Sequence, residues 1–146
     1  MANSQRKGYS LRIGADLVEI SKIRGIFSRE GFQETVFTPA ELGHSQRHRS
    51  PMTDLAVRFA VKEALFKALG TGLSGEMDWR DVEVSSRIAE NPRLRISGRT
   101  AQVAQEAGVS DCAFSFSYTE ELAVALVVLA LHGPNRESVG SRQVQP

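Results

Sequence analysis

The sequence contains a single cysteine, Cys112, among its 146 residues. One cysteine excludes an intramolecular disulfide framework and a cysteine-rich zinc site, and a chain without disulfides is expected in the cytoplasm. An excess of charge is also lacking, because 18 Lys and Arg residues are balanced by 17 Asp and Glu residues, for a formal net charge of +1. That balance argues against nucleic acid or an anionic membrane as the main partner.

Long apolar segments are missing as well. The longest, residues 122–131, is much shorter than the roughly 20 residues that a membrane-spanning helix needs. The first ten residues are polar and basic, so they are not expected to act as a signal peptide. The length and the 41% content of hydrophobic residues predict one globular domain over residues 11–131, with a polar extension at 1–10 and a flexible tail at 132–146. A domain of this size has little room for a deep cleft, so its site is expected to be shallow or shared between subunits.

Strand and helix patterns are mixed along the chain. Alternating or continuous apolar runs predict strands at residues 11–17, 82–86, 94–96, 112–117 and 122–130. The last two are expected to form a hairpin whose second strand is buried. Helical spacing and end signals predict helices from residue 20 to 27, from the capping box Thr38-Pro39-Ala40-Glu41 to about Arg47, from Ser50-Pro51 to Leu69, and over residues 100–107. Because strands and helices do not alternate strictly, the pattern favours an α+β fold.

The helix predicted to end at Leu69 is apolar on nearly all sides and yet carries four charges. Arg58 and Lys62 are four residues apart and share one face, and Glu63 and Lys67 share another. A buried charge is costly unless it is paired, hydrogen-bonded or bound to an ion. Two interpretations are open at this point. In the first, the four charged side chains lie along two edges of the helix and are salt-bridged or solvated. In the second, Glu63 binds a metal while the three cations hold phosphates.

Asp16 is the second candidate, because it follows Gly14 at the end of an apolar strand and precedes a helix. A carboxylate at that position serves either as a helix N-cap or as a magnesium ligand. Magnesium takes one or two protein carboxylates and fills its other positions with water and phosphate oxygens, so Asp16 and Glu63 together would suit a magnesium diphosphate. The loop Gly70-Thr71-Gly72 after the long helix is either a C-cap with a flexible exit or a cradle for phosphate.

Other chemically capable residues are given structural interpretations. Cys112 is expected to be a small core residue rather than a nucleophile. Ser115 and Ser117 lie on one strand face with no neighbouring His or Asp, so a hydrolase triad is not supported. The three histidines are expected to be solvated: His44, His48 and His132.

Five segments in order carry a resemblance to a known family. They are G-A-D-L-V-E-I from Gly14, F-T-P-A-E-L from Phe37, R-F-A-V-K-E-A-L-F-K-A-L-G-T-G from Arg58, W-R-D-V-E-V from Trp79, and S-F-S-Y followed by L-A-V-A-L-V-V from Ser115. Together they resemble the small holo-acyl-carrier-protein synthases, a class of 4'-phosphopantetheinyl transferases. The resemblance covers about residues 11–129 and implies that family's fold, a mixed or antiparallel sheet packed with a long buried helix.

The resemblance also implies an activity and a set of site residues. The family transfers the 4'-phosphopantetheine group of coenzyme A to a serine of an acyl carrier protein, requires Mg²⁺ and releases adenosine 3',5'-bisphosphate. Asp16 and Glu63 match its magnesium ligands, and these two with Lys67, which lies near the diphosphate, would be the catalytic residues. The proton of the serine would pass to a magnesium-bound water or to Glu63. Contacts to coenzyme A are expected from Arg58 at the 3'-phosphate and from Lys62, Lys67, Gly70, Thr71, Gly72, Ser117 and Tyr118.

Partners and assembly follow from the same resemblance. Carrier proteins are acidic, so a basic docking face is expected. The first predicted helix carries Lys22 and Arg24, and Lys22 matches a carrier-docking position of the family. The alternative is that both are ordinary solvated charges. Family members are homotrimers with sites at subunit interfaces, which would answer the expectation of a shared site.

One position departs from the family pattern, because the family has histidine where this chain has Tyr118. Tyrosine carries no positive charge at neutral pH, so 3'-phosphate affinity would fall unless another cation compensates. Two alternatives therefore remain beside the transferase. One is a catalytically reduced relative that binds coenzyme A or the carrier protein, and the other is an unrelated α+β interaction module in which every charge is structural.

Overall fold

A computed structural model describes residues 8–85 and 88–132 of the chain. Over these residues the helices are α1 (Ile20–Phe27), α2 (Phe32–Val36), α3 (Pro39–Gln46), α4 (Pro51–Leu69) and α5 (Gly98–Glu106). The strands are β1 (Tyr9–Glu19), β2 (Val82–Ser85), β3 (Arg93–Ile96), β4 (Val109–Tyr118) and β5 (Leu122–His132), with short 3-10 turns at Trp79–Asp81 and Ile88–Glu90. The α+β class predicted from the sequence is confirmed.

The strands form two antiparallel sheets. The larger has the order β1-β5-β4, and the smaller is the hairpin of β2 and β3. The predicted hairpin of β4 and β5 is confirmed, with Tyr118 opposite Ala123. On the other side of β5, β1 pairs along its whole length and places Asp16 opposite Ala125.

Helix α4 is the centre of the molecule, because it packs against both β1 and β5 and is buried on nearly every side. Its predicted bounds are confirmed: Pro51 is the first helical residue and Gly70 ends the helix in the left-handed region with φ of 80°. Arg12 of β1 donates from Nη1 to the carbonyl oxygen of Leu69 at 3.0 Å, which ties the end of the helix to the sheet. Ser50 precedes the first helical residue, where serine commonly caps a helix, but its side chain makes no capping hydrogen bond and its hydroxyl instead contacts that of Thr53 at 2.9 Å.

The capping box at the start of α3 is present as predicted. The Thr38 hydroxyl accepts from the Glu41 amide at 3.3 Å, and the Thr38 amide donates to Glu41 Oε2 at 3.0 Å. Glu41 is nevertheless fully buried, which its position in a capping box does not explain. Its second carboxylate oxygen accepts from the amide of Val84 at 2.9 Å, so α3 is also bonded to the small sheet.

The prediction of a wholly buried β5 is wrong. The helices cover one face of the larger sheet, where Ala123, Ala125, Val127 and Leu129 are buried. On the other face the side chains are between 39% and 64% exposed in the single chain; we call them the outer sheet face: Leu11, Ile13, Leu17, Leu122, Val124 and Leu126. The continuous apolar run of β5 is therefore an alternation of buried and exposed residues.

The ends of the domain lie slightly beyond the predicted limits. Tyr9 and Ser10 belong to β1, and His132 is the last residue of β5, opposite Tyr9. The remainder of both predicted extensions, residues 1–7 and 133–146, lies outside the described residues. Within the described part of the chain, no helix combines the length and hydropathy that crossing a membrane requires.

Candidate active site

Gly14 sets the distance between β1 and α4. A Cβ atom at this position would overlap the carbonyl oxygen of Ala64 and lie 2.5 Å from the amide nitrogen of Ala68. Both atoms belong to the helix backbone, so a side chain at residue 14 could not be accommodated by a rotamer change. The absence of a side chain lets the strand lie directly on the helix. Asp16 lies two residues further along the same strand face, against the C-terminal half of α4.

The structure brings together Asp16, Glu63 and Lys67, as the resemblance implies. Lys67 donates from Nζ to Asp16 Oδ1 at 2.7 Å. Glu63 lies one turn earlier on α4 and is half-buried. We call these three residues the carboxylate–lysine cluster. Its position at the junction of a strand and a long buried helix gives it a rigid support on both sides.

Electrostatic interactions link the members of this cluster. Burial raises the pKa of Glu63, the negative charge of Asp16 raises it further, and Lys67 opposes both. The hydrogen bond to Asp16 raises the pKa of Lys67. A carboxyl group whose pKa is raised by a neighbouring carboxylate is in a place that favours an added cation.

The donor set suits a magnesium ion bound together with phosphate. Two carboxylates from different elements are within the number that magnesium usually takes from a protein. Among the described residues no group of three or more His, Cys, Asp or Glu side chains is placed to hold a metal. The further ligands of an ion at Asp16 and Glu63 would therefore be water and oxygens of a bound phosphate compound.

A side chain that binds phosphate must be accessible from outside the protein. Arg58 and Lys62 are not accessible, so this part of the prediction is wrong. Both side chains are fully buried. Arg58 pairs with Asp54, at 2.7 Å from Nε to Oδ2, and donates to the carbonyl oxygen of Val84. These are internal partners, so the alternative of structural, salt-bridged charges describes this face of α4 correctly.

Lys62 is held even more completely than Arg58. Its Nζ atom donates to Glu41 Oε2 at 2.7 Å and to the carbonyl oxygens of Val36 at 2.8 Å and Trp79 at 3.1 Å. Burial lowers the pKa of Lys62, while the charge and hydrogen bond of Glu41 oppose that shift. An ammonium with three acceptors around it has no donor left for an external ligand.

A basic groove that the sequence analysis missed lies at the start of α4. It is lined by residues from α1, from the loop before α4 and from the turn between β4 and β5: Arg24, His48, Arg49, Ser50, Thr53, Tyr118, Thr119 and Glu120. The signal in the sequence is the run Arg47-His48-Arg49 just before the first turn of a helix, because a helix N-terminus favours anions. Tyr118, at the position where the family has histidine, opens into this groove.

Other predicted contact residues have more varied positions. Gly70 is a C-cap, as one interpretation held, and the exposed Gly72 also has a positive φ, of 62°. Ser117 is exposed and lies on the outer side of the sheet, because it pairs with Val124. Tyr118 pairs with Ala123 and belongs to the opposite side. Lys22 is exposed on α1 and pairs with Glu19 at 2.8 Å.

The remaining polar candidates are mostly structural. Cys112 is half-buried and packs against the core, and burial raises the pKa of its thiol to about 11, which disfavours the thiolate that a nucleophile needs. The prediction of solvated histidines holds for His132 and is wrong for His44. His48 is half-buried with its Nδ1 atom accepting from the Ser50 amide at 3.0 Å, and the Nδ1 atom of the half-buried His44 has no hydrogen-bond partner among the described residues.

Comparison with known proteins identifies the family. The profile of the ACPS family, described as the 4'-phosphopantetheinyl transferase superfamily, matches residues 12–127. The chain belongs to this superfamily. The holo-[acyl-carrier-protein] synthase of Koribacter versatilis is 40% identical over 121 residues, which are 82% of this chain and 97% of that protein. The synthase of Moorella thermoacetica is 38% identical over 120 residues, covering 82% and 93% of the two chains.

Solved structures agree with the sequence comparison. The holo-[acyl-carrier-protein] synthase of Neisseria meningitidis superposes with a TM-score of 0.72 at 30% identity, covering 81% of this chain and 96% of that one. The Chronobacterium ammoniagenes synthase in complex with coenzyme A has a TM-score of 0.73 at 31% identity, covering 84% and 98%. The resemblance read from the sequence motifs is thereby confirmed, and the chain is an enzyme of the phosphopantetheinyl transferase class.

Proposed function

We propose that this transferase moves 4'-phosphopantetheine from coenzyme A to a serine hydroxyl of an apo-acyl carrier protein, with Mg²⁺ bound by Asp16 and Glu63, and releases adenosine 3',5'-bisphosphate. The observation that carries the proposal is the carboxylate–lysine cluster, which joins β1 to α4 across the backbone contact at Gly14. Three solved relatives are described as complexes with coenzyme A, which supports the same cosubstrate here.

The chain's residues divide the chemistry between them. When bound, the magnesium ion neutralises charge on the diphosphate. Asp16 and Glu63 hold it, and Lys67 adds a positive charge where negative charge accumulates on the leaving phosphate. The serine oxygen forms a bond to phosphorus, the bond to the bridging diphosphate oxygen breaks, and adenosine 3',5'-bisphosphate leaves. Glu63 accepts the serine proton, directly or through water.

Removal of either carboxylate charge is expected to abolish most of the activity. Asp16→Asn and Glu63→Gln should each lower the rate of transfer by about 100-fold or more, since each removes a direct contact to the metal or the transferred proton. The measurement is the intact mass of an apo-acyl carrier protein after incubation with coenzyme A and Mg²⁺. Glu34→Gln, which neutralises an exposed carboxylate on α2, should keep the wild-type rate.

Two results of this assay would count against the proposal in different ways. Wild-type turnover in Asp16→Asn or Glu63→Gln, with the fold unchanged by circular dichroism, would exclude the metal assignment. If the wild-type chain modified none of several carrier proteins while still binding coenzyme A, the catalytically reduced relative would be the correct description.

The basic groove is proposed to take the 3'-phosphate of coenzyme A. Arg58 and Lys62 are enclosed, whereas Arg24, His48 and Arg49 line an open groove beside Tyr118. The two arginine side chains provide the positive charge that the replacement of the family histidine requires. The proposal therefore moves the 3'-phosphate contact from α4 to the loop that precedes it.

Arg49→Gln is expected to raise the KM for coenzyme A by about tenfold or more and to leave kcat nearly unchanged. A hydrogen bond to a charged group is worth about 1.5–3 kcal/mol, and the 3'-phosphate is far from the reacting phosphorus. Steady-state kinetics with varied coenzyme A measure this. Arg47→Gln is the matched control, because Arg47 is exposed two residues away and does not line the groove. Equal KM values for the two variants would contradict the assignment.

The protein substrate is proposed to approach along α1. Lys22 and Arg24 are both exposed on this helix, and Arg24 also borders the basic groove. An acidic carrier protein docked on α1 would therefore lie next to the end of coenzyme A that the groove holds. Electrostatic attraction of this kind acts mainly on the rate of association and weakens with salt.

The outer sheet face is proposed to be the interface of a homotrimer. Aliphatic side chains on β1 and β5 that are 39% to 64% exposed form a continuous apolar surface, which monomeric proteins rarely present to water. Association of three chains would cover it and would place neighbouring chains beside β1, the strand that carries Asp16.

A mass near three times that of the 16.0 kDa chain is expected from sedimentation equilibrium. Leu17→Glu should reduce it to the monomer mass, because each copy would bury a charge in the apolar interface. Leu73→Glu places the same charge on an exposed leucine away from this face and should leave the mass unchanged. A monomeric wild-type chain would contradict the proposal.

A further inference from the structure

Lys67 is hydrogen-bonded to a carboxylate oxygen of Asp16, one of the two proposed metal ligands. Its Nζ atom is 2.7 Å from Asp16 Oδ1, and the Asp16 side chain is only 13% exposed. Among the described residues, Lys67 is the side chain that makes a hydrogen bond to this carboxylate. In the structure the ammonium therefore neutralises Asp16 in the way that a bound cation would.

The two lysines of α4 differ in their freedom to move. Lys62 is enclosed and has three internal acceptors. The Lys67 side chain is 52% exposed and is bonded to a single partner among the described residues. A lysine head on a flexible stem can exchange one anion for another at little conformational cost when water surrounds it.

The charges of the cluster determine when that exchange is favourable. Asp16 and Glu63 contribute two negative charges and Lys67 one positive charge, so a divalent cation arriving alone meets a carboxylate that is already paired and an ammonium that repels it. A diphosphate arriving with the cation offers Lys67 a new anionic partner. With metal and diphosphate together, each positive charge has an anionic partner, whereas metal alone leaves the Lys67 ammonium without one.

We propose that Lys67 is an exchangeable counter-ion, which pairs with Asp16 in the metal-free protein and transfers to the coenzyme A diphosphate when the metal binds, so that metal and coenzyme A bind cooperatively. This rests on the proposed function, since it requires the metal at Asp16 and Glu63. It adds a role in the metal-free protein to the contact with the diphosphate and the stabilisation of the leaving phosphate proposed above. Reciprocity requires that each ligand strengthen the binding of the other by the same factor.

The test is titration of the full-length chain with Mn²⁺ as the probe, followed by the electron paramagnetic resonance signal of the free ion. For the wild type, saturating coenzyme A should lower the Kd of Mn²⁺ by about tenfold or more, within the usual range of coupling between sites. In Lys67→Met, Mn²⁺ alone should bind about fivefold or more tighter than to the wild type, because its competitor is gone. The effect of coenzyme A on the Kd of Mn²⁺ should shrink in the same variant.

Lys22→Met is the matched control, because Lys22 is an exposed lysine paired with a carboxylate at 2.8 Å on another helix. It should leave the Mn²⁺ affinity unchanged, which separates the proposed exchange from a general loss of positive charge. If Lys67→Met binds Mn²⁺ alone no more tightly than the wild type does, the proposal is overturned.

Asp16→Asn distinguishes this failure from failure of the proposed function. If Asp16→Asn loses Mn²⁺ binding while Lys67→Met shows no gain, the metal site stands and only the counter-ion role is excluded. If Asp16→Asn binds Mn²⁺ as the wild type does, the metal site itself is wrong and both proposals fall.

Discussion

Gly14→Ala is expected to lower the free energy of unfolding by about 3 kcal/mol and the transfer rate by about 100-fold. The added Cβ would overlap the carbonyl oxygen of Ala64 and approach the amide nitrogen of Ala68 at 2.5 Å. Neither is the end of a flexible side chain, so the strand and the helix must separate. Such a shift reaches Asp16 two residues later and moves it away from Glu63 and Lys67.

The comparison variant for this experiment is Gly43→Ala. Gly43 lies within α3, and a Cβ there would meet nothing within 4 Å. Alanine at such a helical position is expected to stabilise by about 0.5–1 kcal/mol. Urea denaturation and the carrier-protein mass assay measure the two effects. If Gly14→Ala were as stable and as active as Gly43→Ala, the contact between β1 and α4 would not be what positions the site.

Lys62→Met is expected to destabilise the fold by about 3–5 kcal/mol, the usual range when one partner of a buried ion pair is removed. Methionine fills most of the space but leaves the buried Glu41 carboxylate without its cation. The carbonyl oxygens of Val36 and Trp79 each lose the hydrogen bond from Lys62 Nζ. The Thr38 amide still donates to Glu41 Oε2 and the Val82 amide to the Trp79 carbonyl oxygen, so the unpaired carboxylate charge causes most of the loss.

The same substitution at Lys67 serves as the control for stability. Lys67 lies on the same helix, but its side chain is 52% exposed, so Lys67→Met should change the free energy of unfolding by only about 0–1 kcal/mol. The double variant Lys62→Met, Glu41→Gln should be less destabilised than the sum of its single variants, because the two residues share one interaction. Equal stability of Lys62→Met and Lys67→Met would contradict the structural role of Lys62.

Where local interactions decide the structure, the sequence was a reliable guide. The capping box at Thr38, the bounds of α4 at Pro51 and Gly70, and the hairpin of β4 and β5 are each formed by residues that are close along the chain. The motifs around Asp16, Glu63 and Lys67 predicted a cluster that the structure then brought together. Spacing by four also predicted correctly that Arg58 and Lys62 share one face of α4.

Whether the face with Arg58 and Lys62 points into the core or to solvent could not be predicted from this spacing. Because α4 is apolar on nearly all sides, no hydrophobic stripe indicates which charges point inward. The deciding partners are distant in sequence: Glu41 is 21 residues from Lys62, and Val84 is 26 residues from Arg58. The basic groove is hidden for the same reason, since α1, the loop before α4 and the turn after β4 meet only in the folded chain.

The sequence by itself predicted the family, the five strands, all of the described α-helices except α2, and the carboxylates proposed as metal ligands, because these depend on residue type and on short-range geometry. Only the tertiary structure decided which cations are enclosed and which are free to meet a phosphate, because burial is a property of long-range packing. It also showed that the apolar run of β5 has one covered and one open face, since the helices lie on a single side of the sheet. Lys62 and Lys67, five residues apart on one helix, illustrate the difference between structural and exchangeable charge.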